Sequence, residues 1–281
     1  MYEPFATFEE FFQGEQKKYK QLKLDDVEKL KDSLAAEKQL TSPLTDKKLV
    51  AILHSCFFDL DFARKTAIYC RKSYLELSHV FAEQDPMSKS MQTFHKLASV
   101  CDLTHDKTGS GVRYIYLQLQ DVDPRKFEFT SLLKALVMQL EYILLCNGTF
   151  DGLVVIFNCV GLHWRHVLKV SLSTAKRFIE FLQEGIPLRL QEIHFMNAGS
   201  AFQMLYKLLS PFISEDLKEK IKLHAVGSDD IFTFVPKSIF PKEAGGQAKS
   251  HVDLNELMYK NLHYCREWFI QQNDSLKKQL K

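Results

Sequence analysis

The chain has 281 residues, 46% hydrophobic and 26% charged, which is the composition of a soluble globular protein with one large domain or a small domain beside a larger one. A net charge of +2 supplies no global field for nucleic acid, so no nucleic-acid partner is expected and contact with an anionic surface needs a local basic patch. There is no run of 18 apolar residues, and the opening MYEPFATFEEFF has early glutamates and no basic n-region; neither an ordinary membrane span nor a secretory signal is expected. Cys56, Cys70, Cys101, Cys146, Cys159 and Cys265 are scattered without CxxC pairs and read as reduced, mostly buried thiols of a cytoplasmic protein. The 22 phenylalanines serve either as core or as the lining of an apolar pocket.

The first hundred residues read as helices. Val27, Leu30 and Leu34 mark one over Asp25 to Leu40, which breaks at Thr41-Ser42-Pro43. Thr45 caps a second that runs through Leu49, Val50, Ile52 and Leu53. A third starts near Asp59 or Asp61 and reaches Leu77, and Glu83 to Pro86 reads as a domain boundary.

From about residue 110 strands and helices alternate. The turn Gly109-Ser110-Gly111 leads into a strand over Arg113 to Leu119, followed by a helix from Phe129 to Cys146. Leu153 to Phe157 is a strand covered on both faces, and His163 to Leu182 a helix with Leu168, Leu172, Ala175, Phe178 and Leu182 in phase. Leu188 to Met196 is the next strand. The order predicts an α/β fold with a mostly parallel sheet and right-handed crossovers. Ser200 to Leu209 is a helix apolar almost all round, with only the stripe Gln203 and Lys207 polar inside it. Such a helix is either buried on nearly every side or lies between an apolar cavity and a membrane. A last helix starts near Leu254, with a Lys-rich tail expected to fray.

Catalytic signals are sparse. GxGxxG, GxxxxGK[ST] and GxSxG are all missing. His163 and His166 form an HxxH that reads as a helix start with exposed histidines rather than a metal site, and His194 and His224 as hydrogen-bonded structural residues. No catalytic residue, metal or cofactor is expected.

Several stretches together resemble the CRAL-TRIO lipid-transfer family. Pro187-Leu188-Arg189, Ile193-His194-Phe195-Met196-Asn197, Phe202 to Leu209 and Ser210-Pro211-Phe212-Ile213 are similar to its core strand, gate helix and following turn. Asp46 to Ala63 resembles its N-terminal helical module. Asp151 to Gly161 resembles its central strand, with Asn158 for the usual aspartate, and Phe240 to Gly246 its closing LPxEYGG motif. The resemblance spans roughly residues 25 to 250 and is nearest the tocopherol-transfer and retinaldehyde-binding branch.

That resemblance implies an N-terminal helical module (1–86), a lipid-binding domain with a sheet flooring an apolar cavity under a gate helix (87–250), and a C-terminal helix (251–281). It implies a non-enzymatic, monomeric, cytoplasmic carrier that touches membranes transiently and transfers one tocopherol-, retinoid-, carotenoid- or sterol-like lipid. By the motif match the ligand would meet Leu132, Ala135, Leu136, Gln139, Leu153, Phe157, Val170, Phe178, Phe181, Leu182, Leu188, Leu190 and Ile193, and Phe202, Leu205 and Leu209 would close the gate. Phe178 and Phe181 stand where relatives often have smaller side chains, which implies a narrow cavity. Relatives that bind phosphatidylinositol place a glutamate and a lysine where this chain has Leu188 and Ser210, so no high-affinity phosphatidylinositol cargo is expected. Arg189 and Lys220 match two positions of the branch's membrane phosphoinositide cluster, whereas Gln191, Asp216 and His54 replace others that are usually basic. Two rival functions share these residues: a lipid-responsive adaptor that recruits a partner, and a lipid ester hydrolase using Ser200 or Cys159 near His194.

Overall fold

The computed structural model describes residues 2–35, 44–104 and 111–279. The expected break at Thr41 to Pro43, the end of the helix before it, and Gly109 and Ser110 lie outside these residues. Six helices come first: α1 (Phe8–Lys18), α2 (Leu24–Ala35), α3 (Asp46–Ser55), α4 (Leu60–Glu76), α5 (Ser78–Phe81) and α6 (Lys89–Leu97). Side-chain caps set their starts. Thr45 accepts from Lys48 N–H at α3, and Asp59 from Phe62 N–H at α4. At α1, Thr7 and Glu10 form a reciprocal capping box, a T-x-x-E signal legible in the sequence but not read there.

The sheet has the order β1-β2-β3-β4-β5, with β1 (Ala98–Asp102) antiparallel to β2 (Val112–Leu119) and every other pair parallel. β3 is Gly152–Asn158, β4 Leu190–Met196 and β5 Ile221–Leu223. The α/β class with a mostly parallel sheet is as expected, and the two short outer strands are additions. Between the strands lie α7 (Phe129–Asn147), α8 (Trp164–Val167), α9 (Leu172–Glu180), α10 (Ser200–Leu209) and α11 (Glu215–Lys220). α12 (His251–Tyr264) and α13 (Arg266–Gln279) close the chain.

Three expectations are corrected. The helix read over His163 to Leu182 is interrupted between α8 and α9, which leaves Leu168 70% exposed and Leu172 also outside the core. It ends in a π-helical turn, Phe181–Gly185, and the next strand starts at Leu190 rather than Leu188. The last helix is two helices that meet at Cys265, helical through Gln279. On composition α7 is long and apolar enough to cross a membrane, but most of it is buried inside the fold.

Strand period two sorts the sheet into two faces. Ile115, Leu117, Leu153, Val155 and Ile193 join the larger core with the helices, whereas Tyr116, Val154, Ile156 and Met196 pack with Ile231, Val235, Phe240 and Leu254 on the other side. A register shift between Leu153 and Val154 pairs them with Leu190 and Glu192 and skips Gln191. Leu190 and Ile193, three apart, therefore face the same side.

The larger core runs continuously from Phe11 to Leu276. Polar ties hold its parts together. Buried Glu15 accepts from Tyr2 Oη at 3.0 Å, Lys18 Nζ at 2.7 Å and Thr149 N–H at 3.0 Å, and Lys18 also donates to the carbonyls of Asn147 and Thr149. Lys48 on α3 pairs with Glu141 on α7 at 2.5 Å, with Tyr74 Oη donating to the same carboxylate. Asn273 on α13 brackets the backbone N–H and C=O of Gln84, each at 2.9 Å.

Two predictions follow from this packing. A Cβ on Gly185 would lie 2.8 Å from the Cys70 backbone nitrogen and 3.0 Å from the Tyr69 carbonyl carbon, so α4 sits against the π-turn only because that position is glycine. Gly185→Ala should cost about 1–3 kcal/mol in urea unfolding; an unchanged midpoint would show that α4 gives way freely. His54 is buried beside Tyr19, and burial together with the nearby Arg189 and Lys18 charges lowers its pKa to about 3. Protonation then favours the unfolded chain: the stability from a neutral His54 is complete above about pH 6.5 and is lost as pH falls toward 3. Between pH 7 and 4.5 the wild type should lose about 2 kcal/mol more than His54→Leu, and parallel pH profiles would contradict this.

Candidate binding cavity

A cavity of about 250 Å³ lies between the larger-core face of the sheet and helices α7, α9 and α10. Its floor is Leu117 and Leu119 on β2, Leu153, Val155 and Phe157 on β3, and Leu190, Ile193 and Phe195 on β4. Phe157 and Phe195 stack at 5.0 Å with planes 13° apart, and Phe195 meets Phe202 of α10 at 4.4 Å. This aromatic row joins the floor to the helix above it.

The structure places Leu132, Leu136, Leu153, Phe157, Val170, Phe178, Leu182, Leu190, Ile193, Phe202, Leu205 and Leu209 on the cavity wall. Ala135, Gln139, Phe181 and Leu188 are buried elsewhere. On α7 the wall is the stripe Phe129, Leu132, Leu133, Leu136 and Leu140, and Ala135 and Gln139 lie to one side of it. Phe181, in the π-turn, packs edge-on against Phe81 at 5.3 Å. Leu188 precedes β4 and lacks the strand's alternation. Sequence reasoning missed Leu117 and Leu119, though the alternation of their strand marked one face for burial. It also missed Phe195, Tyr206 and His166.

Helix α10 has two apolar faces with different surroundings. Phe202, Leu205, Tyr206 and Leu209 face the cavity at helical spacing. On the outer side Gln203 and Lys207 are exposed, and so are Met204 (46%) and Leu208 (44%). The reading of a helix buried on nearly every side is therefore overturned, since Phe202 alone of its residues is buried. α10 packs against α8 and α9, which expose Trp164 and Leu172 nearby.

The lining among the described residues contains no Lys, Arg, Asp or Glu. Its polar members are largely engaged with one another or with the protein. Asn158 donates to Tyr116 Oη at 2.8 Å and Gln118 Oε1 at 3.0 Å, and accepts from Asn197 Nδ2 at 2.8 Å. Ser99 bonds His251 Nδ1 at 2.7 Å. His166, read as exposed, is buried, whereas His163 is exposed; each caps the start of α8 through its Nδ1.

The nucleophile candidates are poorly served. His194 is fully buried, with Nε2 2.9 Å from Glu192 and Nδ1 3.0 Å from His224 Nε2, so both ring nitrogens are occupied. Ser200 is exposed at the first turn of α10, and burial pushes the Cys159 thiol up to about 12, away from the reactive thiolate. All six cysteines are free.

At the surface, Arg189 is half-buried. Its Nε donates to His54 O at 2.9 Å, and its guanidinium lies 4.2 Å from the centre of the exposed Phe57 ring. Lys220 is half-exposed at the end of α11, with Gln191 and Asp216 exposed and His54 buried. Leu188 is buried, and Ser210 Oγ donates to Lys207 O at 3.2 Å.

The CRAL/TRIO domain matches residues 99–246. Alpha-tocopherol transfer protein-like from Homo sapiens is 26% identical over 231 residues, covering 80% of this chain and 66% of that protein. The match thus spans just under two thirds of that relative's length. Clavesin-1 from Rattus norvegicus is 26% identical over 137 residues, 48% of this chain and 39% of the relative. The crystal structure of Sfh5 is similar with a TM-score of 0.48 and 14% identity, over 75% of this chain and 74% of that one. With more than half of its residues matched to that domain, the chain belongs to the CRAL/TRIO family of lipid-binding and transfer proteins.

Proposed function

We propose that the protein encloses one small, uncharged hydrophobic lipid in this cavity and passes it between membranes without catalysing a reaction on it. One observation carries the reading: an uncharged cavity is roofed by a helix whose inner face lines it and whose outer face still exposes Met204 and Leu208. Removing a lipid's apolar surface from water contributes ~25 cal/mol per Å², so enclosure alone holds the cargo. At about 250 Å³ the cavity lies just below the usual range of small-molecule pockets, roughly 300–1,000 Å³. That size favours a slender molecule over a two-chain phospholipid, as does the absence of charge at Leu188 and Ser210. The exposed apolar residues of α8, α9 and α10 would meet the bilayer when the roof opens; on this reading the protein is a cytoplasmic monomer that visits membranes. Arg189 and Lys220 are the residues we assign to an anionic headgroup there, and liposome flotation with and without phosphoinositides measures their part.

Two variants separate binding from delivery. Ala175→Phe, which adds a ring to the cavity wall, should abolish uptake of a fluorescent polyene lipid while the protein still folds cooperatively. The pair Met204→Asp and Leu208→Asp should retain uptake but slow transfer between two liposome populations roughly tenfold or more, because a charge does not enter the bilayer interior readily. Unchanged transfer in the second variant would remove α10 from the delivery step.

A further inference from the structure

His166 is the one cavity-lining residue with a fully buried side-chain polar atom that lacks a partner among the described residues. The residue is 1% exposed. Nδ1 accepts the backbone N–H of His163 at 2.9 Å, which leaves the ring proton on Nε2. Nε2 is therefore an N–H donor, buried at the cavity wall beside the edge-to-face ring of Phe127 at 5.4 Å. A buried donor without an acceptor is costly, and a weak contact with an aromatic ring does not replace one. Burial holds the His166 pKa below its ordinary value, in keeping with the neutral ring.

We infer that His166 Nε2 is the polar anchor of the cargo, donating to a hydroxyl or carbonyl oxygen at one end of a slender, neutral, otherwise apolar molecule. This rests on the carrier reading and narrows it. Of the other polar side chains of the wall, Asn158 and Ser99 are tied to neighbouring side chains, and Gln118 and Tyr206 are only half-buried, so that His166 alone combines full burial with an unmet donor. A carboxylate cargo would be buried with no cation among the described lining residues, so the oxygen belongs to an uncharged group. A pure hydrocarbon would leave the donor unmet. The helix start around His163 thus holds the imidazole in one tautomer, with an unpartnered N–H on a residue of the cavity wall.

The test uses the full-length protein after lipid extraction, with diphenylhexatriene as the fluorescent occupant and dodecanol, dodecane and dodecanoate as competitors. His166→Leu should weaken dodecanol roughly tenfold, while dodecane changes less than about twofold. His166→Gln, which keeps an N–H donor, should recover most of the dodecanol affinity. Equal losses for dodecanol and dodecane in His166→Leu, with no recovery in His166→Gln, would reduce His166 to a packing residue and overturn the assignment. Tighter binding of dodecanoate than dodecanol at neutral pH would overturn the uncharged oxygen. Diphenylhexatriene is itself a hydrocarbon and should bind the wild type and His166→Leu alike; if it binds while dodecanol shows no dependence on His166, the carrier reading stands without this anchor, whereas its failure to bind at all overturns both.

Discussion

The pleat of the central sheet is the constraint on which the rest of this molecule depends. Alternate side chains of β2, β3 and β4 must leave on opposite faces, and both faces are apolar, so each needs its own cover. The face with Tyr116, Val154 and Ile156 is closed by the compact segment around Ile231, Val235 and Phe240, with Leu254 of α12. The other face is spanned by α7, α9 and α10, whose side chains meet around a space of about 250 Å³ without filling it. The side chains around that space lack neighbours on one side, and a molecule of matching shape and polarity would supply those contacts.

Charge is kept away from that space and used at the joints between its supports. Lys48–Glu141 links α3 to α7, and Glu15 and Lys18 of α1 bond Thr149 and the Asn147 carbonyl before β3, while the neutral Asn273 holds the segment at Gln84 against α13. The walls of the cavity are thereby braced from behind, by the N-terminal helices and by the C-terminal pair. Among the described residues no ion pair ties α10 to its neighbours; its outer side is open, and it is held by packing against α8 and α9 and by the aromatic row from Phe202 through Phe195 to Phe157.

Legibility of the site varied with how distinctive each local pattern is. Phe202, Leu205 and Leu209 could be placed from helical spacing once one face was known to look inward, but nothing in Met204 or Leu208 says that the opposite face is exposed. On α7 the apolar stripe through Leu132, Leu136 and Leu140 was legible from spacing, whereas Ala135 and Gln139 came from the family match and lie to one side of the stripe. Phe181 was misplaced for a different reason. The π-turn changes the phase after Glu180 and sends its ring to Phe81 instead of the cavity. His166 looked like half of an exposed HxxH, because its burial comes from Phe127 and the cavity wall, which are distant in sequence.

Local sequence was sufficient for the three central strands and the helices between them in outline, the cap at Thr45, the α/β class and the absence of nucleotide-binding motifs. These follow from short-range periodicity and hydrogen bonding, which a few neighbouring residues control. Which apolar residues face a cavity, which face water and which merely fill the core was settled by packing between elements far apart in the chain. The register shift at Leu153 that turns both Leu190 and Ile193 inward, and the crossing of α10 over the Phe195 ring, are relations between elements, and no single segment encodes them. The same greasy helix could have been core or roof; its neighbours made it a roof by covering one side and leaving the other open.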